Sequence, residues 1–248
     1  MNTMSAFDLK GKKGLVLGLA NEHSIAWGCA RQAQAMGADV VASCLNDKAR
    51  PFVEPLTQPL GMDLQTCNIE TPEELEKLVA YAAAKLGRLD FVIHSIAWAP
   101  LADLHGRVID SSSVGFARAM EVSCHSFATL AKLCAPHMTQ GGSMVTMSYL
   151  GADEAVPHYG LMGPVKAALE SLVRYMALEL GLQGVRVYAV SPGPILTRAA
   201  SGIEAFDTLM QNNIAKAPLG RLVTLEEIAT LGTFVRTDAA GGMTGQTS

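Results

Sequence analysis

The chain is poor in aromatic residues, which make up 6% of its 248 positions, and it carries no block of like charge. Few aromatics beside abundant Ala, Gly, Val, Leu and Met suit helices packed closely on a parallel sheet. A formal net charge of −4 without a basic stretch excludes nucleic acid as the main partner. No uncharged apolar run reaches membrane-spanning length, and Met1 to Lys10 lacks the apolar core of a signal peptide. A soluble, cytoplasmic protein with no membrane partner is therefore expected. Cys29, Cys44, Cys67, Cys124 and Cys134 are odd in number and contain no Cys-x-x-Cys pair, so reduced, buried thiols fit better than disulfides or zinc. With 49% hydrophobic and 17% charged residues the chain can bury a large core and is not disordered.

What is present is an alternation of short apolar runs with longer segments of helical period. Gly14–Leu19 reads as a buried first strand, followed by a helix from Ser24 to Met36 that Gly37 closes. Strands follow at Asp39–Cys44, Asp63–Cys67, Leu89–Ser95, Ser143–Ser148 and Val185–Val190. Thr71-Pro72-Glu73-Glu74 opens a helix running to Leu86, with Thr71 as cap and Glu74 completing a capping box. A further helix is read from Tyr159 to Leu180. This order predicts right-handed crossovers and an α/β, Rossmann-type doubly wound parallel sheet. No linker, repeat or low-complexity tract interrupts it, so one domain spanning 1–248 is expected. In such sheets ligands lie beyond the carboxyl ends of the strands, where strand order reverses.

The segments after each strand are the candidates. Gly18 permits a tight turn after the first strand, and the next helix offers free N–H groups to a pyrophosphate, with Ser24 as cap and phosphate ligand. This is not the Gly-x-Gly-x-x-Gly fingerprint, and an ordinary glycine turn reads the same way. The second strand ends Cys44-Leu45-Asn46-Asp47-Lys48. Asp47 has two readings, a ribose acid or, more commonly, an N-cap; with no Arg at the strand end the pattern favours NADH, with NADPH the alternative. Asn68 and Ile69 after the third strand can bracket an adenine, or be a polar turn and a core residue. His94 ends the fourth strand and reads as structural; His23, His125 and His158 show no metal-ligand spacing. Thr197, after the turn made by Pro192, Gly193 and Pro194, can reach a pyrophosphate. The small, partly apolar run beyond it reads as a flap over about 198–215, or as a plain connecting loop. Phe206 and Met210, at helical spacing, can line an acyl pocket or pack in the core.

The sharpest feature is Ser148-Tyr149-Leu150-Gly151 followed by Tyr159 and, seven residues on, Lys166. On a helix seven residues turn about 700°, roughly 20° short of two turns, so Tyr159 and Lys166 share a face. A nearby ammonium favours tyrosinate, lowering the phenol's pKa and tuning it as an acid or oxyanion stabiliser.

The motifs Gly18-x5-Ser24-Ile25-Ala26-x-Gly28, His94-Ser95-Ile96-x-x-Ala99-Pro100, Ser148-Tyr149-Leu150-Gly151, Tyr159-x6-Lys166 and Gly193-Pro194-Ile195-x-Thr197, with Ala199 to Ile203 after them, together resemble the short-chain dehydrogenase/reductase superfamily. More narrowly they resemble its bacterial enoyl-acyl-carrier-protein reductase branch, from about Lys10 onward. Most of the superfamily uses Tyr-x3-Lys, so the longer gap discriminates. The resemblance implies NADH-dependent reduction of trans-2-enoyl thioesters on acyl carrier protein, in fatty-acid biosynthesis, by a homotetramer with a mobile flap. It implies that Tyr159 is the catalytic phenol, Lys166 the ribose ligand and Tyr149 a second active-site tyrosine. It places Gly18, Ser24, Ile25, Leu45, Asn68, Ile69, Ile96, Ile195 and Thr197 on the cofactor, and Ala99, Met162, Ile203 and Phe206 with the two tyrosines on the substrate.

The spacing has a chemical rationale. Hydride adds to the β-carbon of a conjugated thioester, two atoms farther from the oxygen than in a ketone. Three extra helical residues move the phenol roughly 4.5 Å to match. Another short-chain reductase, acting on a ketoacyl or dienoyl thioester, or a non-enzymatic dinucleotide-binding paralogue, are the rival readings. Departures from the branch are Ala97 in place of Gly beside the nicotinamide, an apolar Leu45, Pro192 as in the wider superfamily, and an end at Gly245-Gln-Thr-Ser248, where relatives continue through a last strand. The expectation is that this strand is missing from the chain as given. Arg198, Lys216 and Arg221 are candidate contacts for an acidic carrier, or solvated surface charges.

Overall fold

A computed structural model describes residues 6–197 and 206–248, with the side chain of Phe206 outside that description. Among the described residues seven strands form one parallel sheet: β1 (Lys13–Leu19), β2 (Asp39–Cys44), β3 (Asp63–Thr66), β4 (Phe91–His94), β5 (Gly142–Met147), β6 (Val185–Val190) and β7 (Gln246–Thr247). Their spatial order is β3-β2-β1-β4-β5-β6-β7. Strand order reverses between β1 and β4, so the loops leaving those two strands part to opposite faces and open a crevice there. The edge strand β7, for which the sequence leaves little chain, is two residues long and pairs through Tyr188–Gln246 and Ala189–Thr247.

Helices cover both faces: α1 (Ile25–Ala35), α2 (Arg50–Thr57), α3 (Glu74–Leu86), α4 (Leu101–Leu104), α5 (Ser113–Met120), α6 (Ser126–Cys134), α7 (Met162–Leu180), α8 (Phe206–Lys216) and α9 (Leu225–Phe234). Strand side chains alternate between two cores. Leu15, Leu17, Val92, Met144 and Val187 join α3, α6 and α7 on one side. Val16, Phe91, Ile93, Val145 and Tyr188 join α1 and α9 on the other. The alternation breaks at Gly18, where the β1–β2 register shifts between Leu17 and Leu19. Gly18 has φ +100°, and a Cβ there would stand 2.2 Å from the Ser95 carbonyl oxygen. Only glycine lets the turn after β1 close against the loop after β4.

Several boundaries differ from the sequence reading for local hydrogen-bonding reasons. Helix α3 starts at Glu74, with Glu73 at φ +65° as its N-cap. Thr71 is not the cap, and the Glu74 carboxylate accepts the Asn68 N–H at 2.6 Å instead of closing a box. A capping box does form at Thr224 and Glu227, opening α9. Asp47 is not the cap of α2: Asn46 Oδ1 accepts the N–H groups of Lys48 and Ala49, each at 3.1 Å. Ser24 occupies the N-cap position of α1 without capping it. Its hydroxyl donates to the Asn21 carbonyl at 2.7 Å and accepts from Ala20 N–H, holding the turn after β1 together. Tyr159 is not helical. It lies in a turn before α7, between His158 at φ +64° and Gly160 at φ +54°. The helical arithmetic for the Tyr159–Lys166 offset, two turns and a 4.5 Å shift along the axis, therefore does not apply. All five cysteines are buried and unpaired.

Candidate active site

The loops leaving β1, β4, β5 and β6 converge on one cavity at the carboxyl end of the sheet. From β1 come Gly18, Ala20, Ser24 and Ile25; from β4, Ser95 to Ala99; from β5, Ser148 and Tyr149; from β6, Pro192 to Ile195 and Thr197. Tyr159, Met162 and Lys166 form one wall and Leu209 of α8 another. Of the cofactor candidates, Gly18, Ser24, Ile25, Ile96, Lys166, Ile195 and Thr197 meet here, as do the substrate candidates Ala99, Tyr149, Tyr159 and Met162. Leu45, Asn68 and Ile69 do not line this cavity. Leu45 is 53% exposed just past β2. Asn68 makes an Asx turn onto Glu70 N–H at 3.1 Å, and Ile69 packs against the core. Ile203 lies outside the described residues, as does Arg198, and Phe206 opens α8. Arg221 makes an exposed pair with Glu227 through two bonds of 2.9 and 2.7 Å.

Tyr159 and Lys166 are both buried although they come from different local structures. The turn places the Tyr159 ring against Gly151, where a Cβ would come within 2.3 Å of it. The ring also meets Tyr149, with centroids 4.6 Å apart and planes tilted by 56°. Burial pushes the Tyr159 phenol well above its ordinary range, and Tyr149 adds to the shift. This corrects the expectation of a phenol acidified by lysine: at neutral pH the group is a protonated donor. Burial also raises Tyr149. The Tyr149 hydroxyl has no hydrogen-bond partner among the described residues. The Asn213 side chain faces that hydroxyl and opposes the rise, while its amide also donates to the Leu209 carbonyl at 2.8 Å.

Lys166 Nζ donates to the Met147 carbonyl at 2.6 Å, at the last residue of β5. Burial lowers its pKa to about 8, against the opposing influence of Cys124 and Glu170. His94, as expected, is structural. Its Nδ1 lies 3.1 Å from Thr146 Oγ1 and its Nε2 2.8 Å from Ser126 Oγ. Ser126 gives its own proton to the Val122 carbonyl, so Nε2 must carry the imidazole hydrogen and Nδ1 accept from Thr146. Burial, with Lys166 nearby, lowers His94 to about 3 and keeps it neutral.

Three supporting groups are absent from the sequence reading. Between α5 and α6 the helix widens into a π-helical segment, Glu121–His125. It turns Ser123 toward the β4 loop, where its hydroxyl accepts from Trp98 N–H and donates to Trp98 C=O, both at 2.8 Å. The Trp98 ring carries the Arg118 guanidinium 4.3 Å from its centroid, and Arg118 forks onto Glu70 at 2.5 and 3.0 Å. Glu170, one helical turn past Lys166, is buried and accepts the Ser148 hydroxyl. The Lys166–Glu170 spacing of four on a helix was the one visible signal. The π-helical widening and the Glu70–Arg118 pairing have none in a single sequence.

Comparison with known proteins decides the family. A family model described as Enoyl-(Acyl carrier protein) reductase matches residues 18–248. The chain belongs to the enoyl-acyl-carrier-protein reductase family. It is 42% identical over 243 residues to the NADH enoyl-acyl-carrier-protein reductase of Nostoc sp., spanning 96% of this chain and 94% of that protein. Enoyl-acyl-carrier-protein reductase 1 (NADH) of Rhizobium meliloti is 40% identical, over 96% of this chain and 88% of its own. The solved reductase of Anaplasma phagocytophilum, in complex with NAD, superposes with a TM-score of 0.92 at 40% identity, covering 96% of this chain and 92% of that one. The family's members set the frame for the cleft; its chemistry follows from the side chains in it.

Proposed function

We propose that the chain is an NADH-dependent enoyl-acyl-carrier-protein reductase of fatty-acid elongation, with Tyr159, Lys166 and Tyr149 as its working side chains. The observation that carries the residue assignment is the meeting of these three, from the β5 loop, a turn and α7, in one cavity at the strand-order reversal.

The cavity fits a dinucleotide. Gly18 brings the β1 and β4 loops into contact with no side chain between them, and the α1 N-terminus has no capping side chain, leaving its N–H groups for a pyrophosphate. In this reading the turn from Gly18 to Ile25 and Thr197 hold the pyrophosphate, Ile96 and Ile195 flank the nicotinamide, and Lys166 binds its ribose. Leu45, Asn68 and Ile69 border the adenosine end. A bound NADH supplies the hydride. NADH is favoured over NADPH because Leu45 is apolar and nearby Arg50 is occupied by the Leu64 carbonyl at 3.3 Å and by Glu54 at 3.5 Å.

The protonated Tyr159 phenol donates to the thioester oxygen as charge develops there, a contribution that counts most in a site closed to water. Tyr149, which lines the same cavity, is the second donor at hand. Ala99 and Met162 line the substrate side, with Ile203 and Phe206 assigned to the same side by their place in the motif. The stretch 198–215 is proposed as a flap over the acyl chain, although its part from Phe206 on belongs to α8. A homotetramer in the cytoplasm is the proposed assembly, which light scattering tests.

The deciding experiment follows NADH and NADPH oxidation with crotonyl and acetoacetyl thioesters. Turnover of the enoyl thioester with NADH is expected. Turnover of the ketoester alone would make this a different reductase, and binding without turnover of either would make it a non-enzymatic paralogue.

A further inference from the structure

Lys166 is a cation in a place that disfavours cations. It is only 4% exposed, and its amine donates to a neutral carbonyl, that of Met147. The titratable groups around it come from several elements. His94, at the end of β4, is neutral near physiological pH. Cys124, on the π-helical segment, has its thiol raised by burial and stays protonated. Glu170 lies four residues on along α7 itself. The phenols of Tyr149 and Tyr159 are likewise raised and uncharged. Among the described groups acting on Lys166, Glu170 is the one carboxyl side chain. It is itself buried, 6% exposed, and its Oε1 is occupied by the hydroxyl of Ser148, the residue immediately before Tyr149. A buried carboxylate is costly unless its field or its bonds are used, and here both point at the same cavity wall.

We propose that Glu170 is a positioning residue for the reaction, its carboxylate fixing the Ser148–Tyr149 segment and supplying the anionic field that keeps the Lys166 ammonium charged. The inference rests on the reading of Lys166 as the ribose ligand. It separates two duties that can be tested apart. Glu170→Gln keeps an acceptor for Ser148 and removes the charge; Ser148→Ala keeps the charge and removes the bond.

The test uses the full-length protein labelled with carbon-13 at lysine Cε, with the Lys166 resonance assigned by its loss in Lys166→Met. Its titration midpoint is read without any turnover. In Glu170→Gln the midpoint should fall by about 1 pH unit, the low end of what a nearby opposite charge contributes. The alkaline limb of kcat/KM should fall with it. In Ser148→Ala the midpoint should hold while kcat drops about 10-fold through displacement of Tyr149. An unchanged midpoint in Glu170→Gln, or an equal fall in Ser148→Ala, overturns the proposal. If Glu170→Gln does not fold, Glu170→Asp carries the test: it retains charge at a shortened reach, so the midpoint must hold, and a fall of about 1 unit there refutes the idea. Wild-type protein inert toward enoyl thioester would instead sink the reaction assignment, leaving the lysine titration to judge Glu170 by itself.

Discussion

At the scale of single residues, the proposed chemistry rests on side chains whose ionisation is governed by burial more than by each other. Tyr159 and Lys166 share a cavity, yet the phenol is raised by desolvation and the ammonium lowered by it. A protonated phenol beside a mostly protonated amine is a pair of donors, suited to an oxygen that gains charge during reaction. Tyr159→Phe should therefore lower kcat by about 10²- to 10⁴-fold and leave NADH affinity, followed by fluorescence, nearly intact. Equal loss of both would mean that the residue supports the cavity and not the reaction. In the proposed role Lys166 works in its protonated form, so wild-type kcat/KM should decline as pH rises through about 8, the value to which burial lowers this amine. A profile flat to pH 10 would remove the charged lysine from the mechanism.

At the scale of elements, the site is made by departures from regular structure. Regular α-helix through 121–125 would aim Ser123 elsewhere; the π-helical widening turns it so that one hydroxyl meets both polar backbone groups of Trp98. Such insertions persist where function uses them. Ser123→Ala takes their shared partner from the part-buried N–H and C=O of Trp98, at a cost of up to about 1–3 kcal/mol. Denaturation should register that loss, and KM for the enoyl thioester should rise, because the loop it anchors carries Ala99. A variant with wild-type KM would limit the serine to a folding role. The turn carrying Tyr159 shows the same logic. Gly160 at positive φ and the bare backbone at Gly151 let a large ring enter the cleft outside any helix.

At the scale of the whole molecule, a parallel sheet covered on both faces buries its polar residues along with its apolar ones. His94 lies between β5 and α6, bonded through both nitrogens and neutral. Its pKa is about 3 folded and 6.5 in its ordinary state. Between those values the unfolded chain holds a proton that the folded chain does not, so stability falls as pH drops from 6.5 toward 3. Above 6.5 both states are neutral at this ring and it adds no slope. Denaturation midpoints at pH 7.5 and pH 5 should differ more in wild type than in His94→Asn. An equal difference would assign the acid sensitivity to other groups.

The sequence by itself determined the parallel α/β sheet, because apolar runs separated by helical segments leave one way to bury both faces. It also determined which segments flank the cleft, since strand ends are visible as the places where apolar runs stop. Motif spacing singled out Tyr149, two residues past β5, and Tyr159 and Lys166, which lie in the turn and helix that follow it. Only the tertiary structure decided that Tyr159 stands in a turn, that Ser24 and Glu74 bond backward and do not cap, and that the phenol is raised and not lowered. Those outcomes depend on how much water each group loses and which neighbour reaches it first. These are properties of packing between segments distant in the chain, as with Ser148 and Glu170 or Trp98 and Ser123, and no local pattern encodes them.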